Sequence, residues 1–115
     1  MDAHSLYGRW IDELWAGAVV AAELVTDDFV GHWPERDVHG PAELEQIIKQ
    51  TRDQVRELSF AVELGPFVDG DFLTGRWRGT GQSPDGAMSF TGNDILRVSA
   101  DGRRIAEYWT GTSAG

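Results

Sequence analysis

Cysteine is absent from this 115-residue chain, so disulfides, thiol chemistry and cysteine-held zinc are excluded at the outset. Buried apolar area must hold the fold instead, and a chain of this length buries about two thirds of the surface its unfolded form exposes. Positive charge is also scarce. Ten Lys and Arg stand against 19 Asp and Glu, a formal net charge of −9, which repels phosphate backbones and anionic lipid and argues against nucleic-acid binding. No apolar run approaches the length needed to cross a bilayer, and Met1-Asp2-Ala3-His4-Ser5 lacks the basic-then-apolar pattern of a secretory leader. Together these absences predict a soluble, cytoplasmic protein with no membrane partner and one domain spanning residues 1–115.

What is present is periodic. Leu6, Tyr7, Trp10, Ile11, Leu14 and Trp15 recur at spacings of three and four, predicting an amphipathic helix that ends near Gly17. A second helix is predicted over Ala18 to Val25, closed by a turn at Thr26-Asp27-Asp28, and a short strand follows at Phe29, Val30 and Trp33. Pro34 to Pro41 reads as a polar connection, with Pro41 suited to the first turn of the next helix, where its missing N–H would go unpaired anyway. That helix is predicted from Ala42 to Leu58, apolar through Leu44, Ile47, Ile48, Val55 and Leu58, and solvated through charges that include Lys49, Arg52 and Asp53.

Beyond Ser59 the period falls to two. Phe60, Val62 and Leu64 alternate with polar or small residues until Gly65-Pro66 predicts a bend or bulge. Turn signals at Asp69-Gly70, Ser83-Pro84-Asp85-Gly86 and Ala100-Asp101-Gly102 separate three further strands, with Leu73 and Trp77 opposite Arg76 and Arg78 on the first of them. Three helices followed by four consecutive antiparallel strands predict an α+β fold with the helices on one face of a curved sheet. The space between a bent sheet and a long helix is the default ligand site.

One residue breaks the apolar pattern. Phe90, Gly92, Asp94, Leu96 and Val98 share a strand face, so Asp94 points where apolar residues point. A buried carboxylate must be hydrogen-bonded, paired or protonated, which makes it either a structural anchor or a group poised for proton transfer. The same counting places Glu107 with Ile105 and Trp109, predicting a second interior acid, while pairing with Arg97 is the structural alternative. His32, between Val30 and Trp33, is predicted at the pocket mouth as a proton relay for Asp94, against the simpler role of a hydrogen-bonded strand-end histidine. Of the large aromatics most serve as core; Trp33 and Trp77, with Tyr7, Phe60 and Phe90 beside them, are the candidate ligand contacts, and Gly92 is expected to leave room in the pocket floor.

Leu14-Trp15-Ala16-Gly17, Asp27-Asp28-Phe29-Val30-Gly31-His32, Gly40, Asp94-Ile95-Leu96-Arg97-Val98 and Ile105-Ala106-Glu107-Tyr108-Trp109 occur in an order that resembles the SnoaL-like polyketide cyclase group of the nuclear transport factor 2-like superfamily. The resemblance covers nearly the whole chain and implies a cone-shaped α+β barrel, with three N-terminal helices packed on a curved, mainly antiparallel sheet. It further implies cofactor-independent, metal-free ring closure on a polycyclic aromatic ester, with a carboxylate at the position of Asp94 taking and returning a proton. Where those cyclases carry Gly-Thr-His, this chain has Gly79-Thr80-Gly81-Gln82, and the segment from Gln82 to Ala87 is short. An epoxide hydrolase-like arrangement is disfavoured because the corresponding strand reads Arg76-Trp77-Arg78. A ketosteroid isomerase-like one would use a protonated Asp94 and Tyr7 as donors, with His32 standing where an acid base is expected. The alternative from another class is a non-catalytic ligand-binding domain, or a homodimer formed through the open sheet face that carries Arg76, Arg78, Asn93 and Arg97.

Overall fold

The computed structural model describes residues 2–114. Asp2 caps α1 (Ala3–Arg9) by accepting the Ser5 N–H at 2.7 Å. The helix then widens into a π-helical turn, Trp10–Leu14, in which the Trp15 N–H bonds the Trp10 carbonyl and Ala18 N–H the Glu13 carbonyl. The segment presents Leu6, Tyr7, Trp10, Ile11 and Leu14 to the core, as the spacing predicts, and ends at Gly17, whose φ of 105° suits glycine alone.

The second helix is shorter than expected. Only Ala21–Leu24 is helical (α2), because the β-branched Val25 and Thr26 already belong to a nine-residue strand, β1 (Val25–Trp33). The predicted turn at Asp27-Asp28 lies inside that strand, where the register shifts between Val25 and Val30. The polar connection that follows contains a strand too. β2 (Arg36–His39) pairs antiparallel with β1 and buries only Val38. Three polar residues in four hid it from a pattern search.

Gly40, at φ 77°, and Pro41 open α3 (Gly40–Gln54), where the Glu43 carboxylate accepts the His39 N–H at 2.9 Å. The helix ends four residues before the expected Leu58. Val55 is extended, and Leu58 reaches the core from β3 (Arg56–Asp69) instead. β4 (Phe72–Ser83), β5 (Gly86–Val98) and β6 (Ile105–Ala114) complete an antiparallel meander whose turns fall at the three predicted signals, and Gly65-Pro66 coincides with a register shift in β3.

The six strands run β2-β1-β6-β5-β4-β3, antiparallel throughout except for the β1/β6 pair. The helices cover one face, so the molecule is an α+β cone with its core between helices and sheet. No helix among the described residues is long and apolar enough to cross a membrane.

Candidate functional site

Asp94 lies on the inner face of β5 and is fully buried, between Leu96 and the glycine at position 92. Its neighbours across the sheet are Gly75 on β4 and Thr110 on β6. Both flanking glycines act by leaving room for an aromatic donor. A Cβ on Gly75 would stand 2.7 Å from the Tyr7 hydroxyl, and one on Gly92 would overlap the Trp77 indole. The space expected at Gly92 is therefore occupied by Trp77 rather than offered to a ligand.

Four side chains donate to the carboxylate. Tyr108 Oη (2.7 Å), Trp77 Nε1 (3.0 Å) and Thr110 Oγ1 (3.1 Å) converge on Oδ1, and Tyr7 Oη reaches Oδ2 at 3.1 Å. None of the ion pairs among the described residues involves Asp94. Burial pushes its pKa above the usual carboxylate range, and the four hydrogen bonds oppose that rise. Burial, and then the nearby Asp94 charge, also raises both tyrosines, so each stays a hydroxyl at neutral pH.

Beside this cluster is an apolar cavity of about 170 Å³. Phe60, Trp77 and Phe90 form one wall, packed edge to face with ring centroids 5.1 to 6.0 Å apart. Trp15 and Trp33 form another, with Trp10, Ile11, Tyr108 and Thr110 beneath them. Asp94 does not itself line the cavity, but Trp77, Tyr108 and Thr110 do, so the carboxylate stands one hydrogen bond behind the wall.

Of the candidate contacts, Trp33, Phe60, Trp77 and Phe90 are brought together in the wall, whereas Tyr7 sits behind it on Asp94. Two orientations differ from expectation. His32 lies on the outer face, its Nδ1 3.0 Å from Asp37 and its Nε2 2.6 Å from Glu107, with its ring stacked on Trp109. Glu107 is outward as well, held by His32 and by Arg97 at 3.3 Å. For Glu107 the cause is a bulge: Arg97 pairs with Glu107 but Val98 pairs with Ile105, so the extra residue Ala106 reverses the alternation and turns Tyr108 inward; His32 is outward by the alternation of β1, whose Phe29, Gly31 and Trp33 face in. The hydrogen bond to Glu107 raises the His32 pKa, and the reciprocal contact lowers that of Glu107.

Sequence reasoning missed Tyr108 and Thr110 for this reason, and it assigned Trp10 and Trp15 to plain core although both line the cavity. Arg52 also departs from the solvated face of α3 that its spacing predicts. It instead donates to the carbonyls of Trp15 and Leu58, at 3.0 and 3.2 Å, and so ties the helix to the cavity wall.

Residues 7–108 match the SnoaL-like domain family, and the chain belongs to that family. No curated protein matches it in sequence. Among solved structures it is similar to a candidate polyketide cyclase from Bacillus cereus, at 25% identity and TM-score 0.82, covering 94% of this chain and 72% of that one. A candidate isomerase of the SnoaL-like family from Agrobacterium tumefaciens superposes with TM-score 0.80 at 17% identity, with 96% of each chain covered. A nuclear transport factor 2-like protein of unknown function from Exiguobacterium does so with TM-score 0.74 at 22% identity, covering 94% of this chain and 98% of that one. One scaffold thus carries different names, and chemistry must be argued from the site.

Proposed function

We propose that the protein binds a hydrophobic, ring-bearing small molecule in its cone and moves a proton on it, in cofactor-independent isomerase or cyclase chemistry with Asp94 as the proton acceptor and donor. The observation that carries this reading is that a wall residue of an aromatic cavity, Tyr108, hydrogen-bonds a buried carboxylate that has no cationic partner among the described residues. Asp94 acts through Tyr108. As the Tyr108 oxygen takes a proton from the carbon beside a ligand carbonyl, its own hydroxyl proton passes to Asp94. The reverse transfer returns a proton at another atom, which is isomerisation, or follows carbon–carbon bond formation, which is ring closure. His32 has no part in this step, since both of its ring nitrogens are engaged on the outer face.

Hydrogen–deuterium exchange of cyclic ketones in D2O, followed by NMR, tests the proposal. Asp94→Asn should keep the fold, because Oδ1 already accepts three donors and an amide nitrogen in place of Oδ2 can donate to the Tyr7 oxygen. Exchange should drop at least ~100-fold in this variant while ligand binding persists. Equal exchange in both proteins would sink the acid/base role and leave a non-catalytic binding domain.

A second reading concerns assembly. Phe67, Phe72 and Ile95 are 62%, 45% and 49% exposed on the outer sheet face, and a solvent-facing apolar group of this kind supports a homodimer that covers it.

A further inference from the structure

On the outer face of the sheet one imidazole stands between two carboxylates. His32 on β1 has its Nδ1 3.0 Å from Asp37 and its Nε2 2.6 Å from Glu107, contacts that join three adjacent strands, β2, β1 and β6. A neutral imidazole carries a single N–H, so it can donate to one of these acids and must turn a lone pair toward the other. Only the imidazolium, with an N–H on each nitrogen, satisfies both carboxylates at these distances. The proton does not reside on Glu107 instead, because His32 and Arg97, the latter reaching over from β5 at 3.3 Å, hold its carboxyl below the ordinary carboxylate value. The remaining surroundings of the ring are mild. Val30 is its neighbour on the same face of β1, and Trp109 stacks on it with centroids 5.4 Å apart. His39, in register with Val30, is the other titratable side chain that β2 turns to this face.

The strand gripped by this arrangement has little buried surface to hold it. β2 is a four-residue edge strand whose one buried side chain is Val38. Its Arg36 pairs with Trp33, so the hairpin closes on a residue of the cavity wall.

We propose that Asp37, His32 and Glu107 form a protonation-dependent clasp that holds edge strand β2, and with it the Trp33 end of β1, against the sheet. When the ring loses a proton, the N–H that remains stays with Glu107, the shorter contact and the more buried acid, 26% exposed against 53% for Asp37. Asp37 then faces a lone pair, and β2 is released. The sign follows from the hydrogen bond to Glu107, which raises the His32 pKa above its ordinary 6.5. The clasp is therefore formed from the carboxylate range up to 6.5 and is lost as pH rises through the higher folded-state value.

The test is a titration of the 15N-labelled protein from mildly acidic to mildly alkaline pH. His32 should titrate above 6.5, with an N–H on both ring nitrogens before the transition and on Nε2 alone after it. Amide protection of Arg36, Val38 and Trp33, measured by hydrogen exchange against intrinsic rates, should fall about threefold through the same transition, the scale of a partly exposed ion pair. Asp37→Asn is a mild change at a half-exposed site, and its amide can accept from the imidazolium or donate to the neutral ring. In this variant the His32 midpoint should drop, and the protection of the three amides should no longer follow it.

A wild-type midpoint at or below 6.5 overturns the clasp, and a neutral ring protonated on Nδ1 overturns the release of Asp37. Protection that stays level through the His32 titration overturns the hold on β2. A fall at Arg36 and Val38 without one at Trp33 overturns the link to the cavity wall, and an equal fall in Asp37→Asn overturns the assignment to His32.

Discussion

Asp94 shows how much can depend on residues that have no side chain at all. Its carboxylate is tolerable in the core because Tyr7 and Trp77 reach it, and they reach it because Gly75 and Gly92 are empty. Gly92→Ala should displace the rigid Trp77 indole, break its bond to Asp94 and distort the cavity wall. We expect a loss of about 2–4 kcal/mol, from overpacking together with a stranded buried acceptor, measurable by urea denaturation; an unchanged midpoint would refute the close fit. The charge itself makes a second prediction. Because burial raises the folded-state pKa of Asp94 above its unfolded value, its contribution is most favourable below the unfolded pKa and is lost as pH rises through the folded one. Asp94→Asn cannot titrate. The stability of wild type relative to this variant should therefore fall as pH is raised from about 4; a flat difference across that range would show that the four donors fully offset desolvation.

At the scale of elements, what was legible in the sequence was whatever repeats. The apolar stripe of α1, the alternation of β4 and β5, the three hairpin turns and the inward aim of Asp94 all follow from spacing. What was hidden came from single-residue events that spacing cannot register. Ala106 shifts the phase of β6 by one, which turns Glu107 outward, brings Tyr108 in and removes Glu107 from the expected pocket, whereas His32 is outward by the plain alternation of β1 with Phe29, Gly31 and Trp33 inside. β2 escaped notice because four residues with one buried side chain carry too little pattern. Arg52 looked like any solvated helix charge, since the carbonyls it serves lie 37 and 6 residues away in sequence. Its guanidinium also packs against the positive-φ glycine that follows the π-helical turn, with Nε 3.1 Å from where a Gly17 Cβ would stand. Arg52→Met keeps the stem and removes the fork, so it should cost about 1.5–3 kcal/mol, the range for hydrogen bonds that involve a charged group. It should also broaden the Trp15 signals in NMR spectra; a spectrum and melting temperature equal to wild type would show that water replaces the contacts.

For the whole molecule the open question is what covers the outer sheet face. A stable dimer needs about 800 Å² from each partner, roughly one eighth of this chain's 6427 Å² of accessible surface. Phe67, Phe72 and Ile95 supply an apolar centre, and Trp109 extends it by packing against both Phe72 and His32. Around it are paired charges, Glu63 with Arg76 and Arg78, and Glu107 with Arg97 and His32, which would supply the polar rim of such an interface. Ile95 lies in register between Thr74 and Trp109, near the middle of the patch. Ile95→Glu should therefore bury a charge only in the assembled state. Sedimentation equilibrium should give wild type a mass near twice the 12.7 kDa of the chain, falling to the single-chain value in the variant with little change in melting of the monomer, since the side chain is already half exposed. A wild-type protein that stays at the single-chain mass up to high micromolar concentration would mean that a different partner, or water alone, meets this face. The cavity opens on the opposite side of the sheet, so ligand affinity should be the same in either assembly state. A difference would show that the sheet carries strain from one face to the other.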